Sequence, residues 1–135
     1  MISSDSHEPG REASRIIDDN PHTFWHTEWS GKTPKHPHEV IIDLGNIYEL
    51  AGIRLLPRQD GSQNGSVKKC EVYLRNDGEN WKSVTTVTLK ESKKMNIIRF
   101  KERVNGQYVK IVAYSAYNGL WTSLAEFGII ATDRK

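Results

Sequence analysis

Arg58 follows Pro57 at the end of an apolar run, which places its guanidinium at the rim of a strand. Its fork of N–H groups can donate to two neighbouring oxygens at once. Asn64, six residues on in the same polar stretch, adds one acceptor and two donors. His26 closes the string Phe24-Trp25-His26; a neutral imidazole donates with one nitrogen and accepts with the other. Trp29 lies three residues beyond it, and Tyr117 and Trp121 share a turn-rich stretch after a strand-like run. Forked donors, an amide, an imidazole and flat rings together suit an uncharged hydroxylated ring with one face of C–H groups.

Each of these residues also has a plain reading. Arg58 could be a solvated surface arginine, and Asn64, before Gly65, a turn residue tolerant of positive φ. His26 could be a packed loop histidine and Trp29 a loop-packing hydrophobe. Trp25 and Trp81 are assigned to the core, as anchors for strands and hairpins. His36 and His38 flank Pro37 like a metal pair, but no third soft ligand accompanies them, so no zinc site is expected. Asp60 near Arg58 and Glu28 near His26 could be imagined as the two carboxylates of a glycoside hydrolase. A chain of this size has little room for a water-excluding cleft, and no Gly-x-Ser-x-Gly string is present, so catalysis is not expected. Asp18, Asn20 and Thr23 cluster within six residues; their oxygens suit a hard cation or an Asx-capped turn.

The elements that must position these groups read as strands over 39–44, 50–56, 67–74, 81–89, 96–100, 108–114 and 124–131. The 67–74 run alternates, with Lys68, Cys70, Val72 and Leu74 on one face and Val67, Lys69, Glu71 and Tyr73 on the other. Asp77-Gly78 and Asn105-Gly106 are hairpin signals, and Gly45 should close the first run. No stripe of helical period stands out, so the fold class is all-β, a sandwich or barrel. Two long polar stretches, 12–38 and 57–66, interrupt the strands, and such loops on a rigid scaffold are where binding groups sit.

With 135 residues the chain has the size of one domain, 1–135. The charge balance, 19 basic against 17 acidic for a net +2, with scattered cations, argues against nucleic acid and against an anionic membrane surface. A single cysteine, Cys70, excludes an internal disulfide and reads as a buried strand residue. No apolar run approaches the ~20 residues that span a bilayer. The opening residues do not resemble a signal peptide, so either the protein stays inside the cell or the domain is cut from a longer exported chain, and the second is favoured.

The segment from Ile17 to Trp29 (IDDNPHTFWHTEW) resembles the first long loop of the discoidin, or coagulation-factor type C, superfamily. His36 to Gly45, Leu55 to Gly61 with Asn64-Gly65, Tyr73 to Trp81, Gln107 to Ile111 and Ala125 to Phe127 match its later segments in order. Within that superfamily, Trp25-His26-Thr27 and Pro57-Arg58-Gln59-Asp60-Gly61 look most like the family 32 carbohydrate-binding modules appended to secreted bacterial glycoside hydrolases.

The resemblance implies an eight-stranded jelly-roll β-sandwich of the galactose-binding kind. It implies that His26, Arg58 and Asn64 form a polar triad around galactose, N-acetylgalactosamine or N-acetylglucosamine, with Trp29 beside them. Tyr117 or Trp121 would supply the stacking ring, and Glu8, in competition with Glu12, an extra acceptor. It also implies a structural Ca²⁺ held by Asp18, Thr23 and Glu126, with carbonyls of Asn20 and Ala125. Asp19 departs from the family pattern, standing where relatives often carry glycine; aspartate can adopt positive φ at some cost. The expected setting is extracellular, periplasmic or on a bacterial cell surface, and the isolated domain should be a monomer. Two alternatives stand beside this: a phospholipid- or protein-binding discoidin domain, and a structural domain without a working sugar pocket. Arg58→Ala is expected to abolish binding and leave the melting temperature nearly unchanged.

Overall fold

The computed structural model describes residues 2–132. Its strands are β1 (Ile2–Ser4), β2 (Trp25–His26), β3 (His38–Leu56), β4 (Lys69–Arg75), β5 (Lys82–Thr88), β6 (Asn96–Ala113), β7 (Ser123–Leu124) and β8 (Glu126–Ala131). The described residues contain no α-helix, and no helix is long and apolar enough to cross a membrane.

Two long strands build both layers of the β-sandwich. One layer runs β1, the first half of β3, the second half of β6, β4 and β5. The other runs β8, the second half of β3 and the first half of β6. Register shifts between Asp43 and Tyr48 and between Leu50 and Gly52 separate the halves. Extra residues of this kind bend and twist a strand, which lets one chain segment serve two ladders. At the first shift Gly45 takes φ +84°, and Asp43 Oδ1 accepts its N–H at 2.8 Å. Gly45 therefore re-aims the strand and does not close it.

Asn105-Gly106 forms no hairpin either. Both residues lie within β6 and pair with Glu49 and Tyr48, because β3 and β6 are partners along nearly their whole length. Asp77-Gly78 does turn the chain between β4 and β5, with Gly78 at φ +76°.

Alternation along β4 buries Cys70, Val72 and Leu74 and turns Lys69, Glu71 and Tyr73 outward. The core continues through Val40, Ile42, Leu50, Ile53, Leu55, Ile98, Val109 and Ile111. Trp25 is 1% exposed, and its Nε1 donates to Ser6 O at 2.9 Å. Trp81 is a correction. It stands just before β5, half-buried on the outer face, where Arg75 and Lys110 approach its ring to 5.1 and 4.8 Å. Cation–π attraction satisfies an indole at the surface, so the ring need not enter the core.

The long 12–38 stretch contains a 3-10 turn, Ala13–Ile17, which the strand-like patterning does not signal. Ala13 and Ile16 are spaced three apart, as such a turn requires to put two side chains on one face, and both are buried. The fully buried Ile16 alone contributes about 1.5–3 kcal/mol. This turn pins the loop that leads to β2, and β2 pairs with β7 through Trp25–Leu124 and His26–Ser123.

Candidate functional site

At this end of the sandwich, His26, Trp29, Arg58, Asn64 and Trp121 line a shallow pocket of about 280 Å³. Larger hollows exist, such as that of about 420 Å³ bounded by Leu74, Glu79, Lys82 and Val104. That hollow has no imidazole and no indole in its lining.

Arg58 is 9% exposed and held on three sides. Nε and NH2 donate to the two carboxylate oxygens of Asp60 at 2.8 and 2.6 Å, and NH1 donates to the carbonyl of Asn64 at 3.2 Å. Its guanidinium carbon sits 4.2 Å over the ring of Phe24, whose ring also carries Arg11 at 4.2 Å. A guanidinium has five N–H donors; the protein uses three, so one remains on each terminal nitrogen. Hydrogen bonding from Arg58 holds the Asp60 carboxyl below the usual carboxylate range. Asp60 therefore acts as an ionised partner of Arg58 and not as a catalytic acid.

His26 is 3% exposed, with Nδ1 2.6 Å from the carbonyl of Thr27. A carbonyl only accepts, so Nδ1 carries the proton and the neutral ring offers Nε2 as an acceptor. Burial is the main cause that lowers the His26 pKa; the Arg58 charge adds to it, against the opposing Thr27 contact. The Trp29 ring meets His26 edge-on, 4.6 Å between centroids at 81°, and Trp121 lies 6.1 Å away on a tilted plane. Trp29 is 44% exposed and forms an open wall.

Asn64 is exposed and lines the pocket, and its backbone is fixed. Its carbonyl accepts from Arg58 and, at 2.8 Å, from Ser123 Oγ. The positive φ belongs to Gly65, at +80°, and not to Asn64. A Cβ on Gly65 would fall 2.8 Å from Ser123 N and 2.9 Å from Thr122 C, so only glycine lets this loop approach the 122–123 segment. Gly119 plays the same part under Trp121, where a Cβ would lie 2.5 Å from the indole.

Two expected pocket residues are elsewhere. Tyr117 donates its hydroxyl to Leu89 O at 2.5 Å, and Lys68 covers its ring at 5.5 Å, so Trp121 is the ring of that loop that lines the pocket. Glu8 is 7% exposed and does not line the pocket. Its Oε1 accepts the N–H groups of Trp29 (2.8 Å) and Ser30 (3.0 Å), and its Oε2 accepts Ser30 Oγ (2.6 Å). Two backbone N–H groups and a hydroxyl claim its oxygens, so Glu8 anchors the Trp29 loop and is no free acceptor. Glu12 accepts the Gly10 N–H at 2.7 Å, away from the pocket. The sequence reading noted Asp60 beside Arg58 only as an imagined catalytic carboxylate and missed that Asp60 and Phe24 orient Arg58; the Arg-x-Asp spacing was the one available signal.

A second cluster lies below this loop. Asp18 accepts from Thr23 Oγ1 and, at 3.0 Å, from Asn20 N, and Thr23 Oγ1 also reaches Asn20 O at 3.1 Å. Asp19 sits at φ +58°, the only non-glycine residue with positive φ among those described. Glu126 of β8 lies beside Asp18, and burial together with that carboxylate pushes its pKa up to about 7. Glu126 Oε1 is buried without a hydrogen-bond partner among the described residues. Two carboxylates facing one another with an orphaned oxygen lack positive charge. Among the described residues no three His, Cys, Asp or Glu side chains converge, so a cation here needs carbonyl and hydroxyl oxygens too. Ala125 is fully buried, and its N–H donates to Leu56 O at 2.8 Å.

His36 and His38 are engaged separately. His36 Nε2 meets Thr122 Oγ1 at 3.1 Å, while both nitrogens of His38 have their own partners.

Comparison with known proteins gives a consistent result. The model of the F5/8 type C domain matches residues 1–127. Galactose oxidase from Gibberella zeae is 39% identical over 131 residues, covering 95% of this chain and 19% of that protein. Sialidase from Micromonospora viridifaciens is 37% identical over 120 residues, covering 85% of this chain and 18% of that protein. The chain thus spans under a fifth of either relative. Among solved structures, the Clostridium perfringens module CpGH89CBM32-5, in complex with GalNAc-β-1,3-galactose, has a TM-score of 0.90 and 27% identity over 97% of this chain and 94% of that one. The family 32 module of C. perfringens NanJ, in complex with galactose, has a TM-score of 0.88 and 29% identity over 96% of this chain and 91% of that one.

Proposed function

The chain belongs to the F5/8 type C domain family, and from that premise we propose that it is a non-catalytic carbohydrate-binding module for galactose-type or N-acetylhexosamine glycans. The observation that carries this reading is Arg58. It is fixed by Asp60, Asn64 O and Phe24, keeps one free N–H on each terminal nitrogen, and faces His26, Asn64 and Trp121 across one pocket.

The two free N–H groups donate to adjacent hydroxyl oxygens of one sugar ring. His26 Nε2 accepts a hydroxyl proton, the Asn64 amide serves a further hydroxyl, and the apolar face of the ring packs on Trp121 with Trp29 as the side wall. Such a shallow site, with a handful of hydrogen bonds and one stack, should bind at ~0.1–1 mM, about −4 to −5.5 kcal/mol. Use at that affinity depends on tethering. The module would be a part of a longer, exported protein and would target an attached glycoside hydrolase or other carbohydrate-active enzyme to its substrate. The galactose and GalNAc complexes of structural neighbours support the sugar class.

The donor set of the second cluster fits a structural Ca²⁺. Asp18, Thr23 and Glu126 would hold it with carbonyls of Asn20 and Ala125, and the orphaned Glu126 Oε1 supports this. Such an ion supplies charge neutralisation and no chemistry; its effect is to brace the loop that carries Phe24, His26 and Trp29.

A glycan array probed with calcium and again in chelator tests the assignment. Retention on terminal galactose or N-acetylhexosamine glycans is expected, without turnover of aryl glycosides. Silence across the array in both conditions would overturn it.

A further inference from the structure

His38 opens β3 and is 1% exposed, yet both ring nitrogens face groups that can only accept. Nδ1 lies 2.9 Å from Asp5 Oδ2, and Nε2 lies 2.9 Å from the carbonyl of Leu120. A carboxylate and a carbonyl bring no proton, so both contacts are hydrogen bonds only when the ring carries both N–H groups and is charged. Asp5 is itself fixed, since its Oδ1 accepts the Glu39 N–H at 2.7 Å and its own N–H donates to Glu39 O at 3.1 Å.

The Leu120 carbonyl belongs to the segment that carries Trp121 into the pocket. Thr122 anchors the far side of that segment, donating its N–H to Thr27 Oγ1 at 3.1 Å and accepting the Thr27 N–H at 3.0 Å. Trp121 Nε1 has no hydrogen-bond partner among the described residues, so no polar anchor of its own holds the ring, which is placed by its backbone and by packing on Gly119 and beside His26.

We propose that His38, as an imidazolium bridging Asp5 and the Leu120 carbonyl, is the positioning residue that holds Trp121 in place for the sugar. This rests on the sugar reading of the pocket. The titratable groups facing His38 are Asp5, after β1, and His36, whose ring lies 4.8 Å away in the segment before β3; the other partners are the carbonyls of Leu120 and Pro34. Burial opposes the charge, but the bonds to Asp5 and Leu120 outweigh it and raise the His38 pKa above the ordinary 6.5. His36 moves down, through burial and the neighbouring His38 charge. The clamp is therefore complete below the ordinary value and lost as pH rises through the raised one. A neutral ring keeps its single proton on the charged acceptor Asp5, and the Nε2 lone pair then repels the Leu120 oxygen.

The test follows His38 ring and Trp121 indole NMR signals against pH without ligand, in the parent and in Asp5→Asn, alongside galactose affinity over the same range. Both signals should report one transition, which moves to lower pH in Asp5→Asn. Galactose affinity should fall about fivefold on the alkaline side of it, the size of one lost hydrogen bond. His38→Gln should show the weakened affinity at neutral pH with no alkaline limb. Trp121 signals that ignore the His38 transition, or a midpoint unmoved by Asp5→Asn, would overturn the proposal. If galactose binds at no pH while the coupled transition persists, the clamp on Trp121 stands and the sugar reading falls.

Discussion

The guanidinium of Arg58 stacks 4.2 Å above the ring of Phe24, a residue 4% exposed and two positions before His26. One buried ring thus couples the two loops that supply the pocket's donor and acceptor. Phe24 fixes the plane of the guanidinium, Asp60 fixes its rotation, and the remaining N–H groups are aimed without the entropy cost of ordering a free arginine on binding.

Arg58→Lys keeps the charge and loses the fork. Galactose affinity should drop at least tenfold, because a lysine can neither pair both oxygens of Asp60 nor donate in one plane to adjacent hydroxyls. Titration calorimetry on the two proteins measures it; equal affinities would mean that the fork is not used. The structure also revises the expectation for Arg58→Ala. Truncation strips a packed side chain from Phe24, removes the paired guanidinium from Asp60 and leaves Asn64 O to Ser123 Oγ alone, so the melting temperature should fall along with binding.

Binding should have an acid limit set by His26. Its folded pKa lies below the ordinary 6.5, chiefly through burial, so the unfolded chain takes up protons before the folded one does. The contribution of His26 to stability is therefore full above about 6.5 and declines as pH falls from there through the lowered value, whereas affinity falls only as pH passes the lowered value itself. Protonation of Nε2 converts the acceptor into a donor and adds a charge beside Arg58. Galactose affinity measured down to acid pH checks this, and a flat acid side would remove His26 from the site.

Calcium should raise the melting temperature and a chelator lower it. At a free ion concentration 100 times Kd, binding to the folded state alone stabilises by about 2.7 kcal/mol. Glu126→Gln should abolish the calcium response in a thermal shift assay. A melting temperature indifferent to calcium and chelator would reduce the Asp18 loop to an Asx-capped turn.

Gly65→Ala should destabilise by more than about 1 kcal/mol, since alanine resists positive φ. It should also weaken sugar binding, because the added Cβ presses on Ser123 N and Thr122 C and pushes Asn64 out of line. Denaturant unfolding and galactose titration read the two effects, and a neutral substitution would show that the close approach has slack.

How much of this was legible in the residues varies by range of interaction. Alternation in 67–74 announced which side chains of β4 enter the core, because side-chain direction in a strand is a local property of period two. The bends in β3 and β6 were not legible. Gly45 and Asn105-Gly106 read as ends and turns, since the chain cannot reveal locally that a distant strand will carry the ladder through them. Trp81 shows the same blindness: only the folded sheet brings Lys110 and Arg75 under its ring.

The pocket divides along the same line. Residue type and loop position raised His26, Trp29, Arg58 and Asn64 as candidates, each beside a plain alternative, because a ligand of hydroxyls and C–H faces demands those chemistries; the family resemblance grouped them and left the ring open between Tyr117 and Trp121. Which of Tyr117 and Trp121 turns inward, that Glu8 serves donors of the Trp29 loop, and that Phe24 lies under Arg58 were decided by contacts between segments far apart in the chain. Hydrogen bonds and ring contacts need angstrom-scale approach, and that approach exists only after the layers have packed.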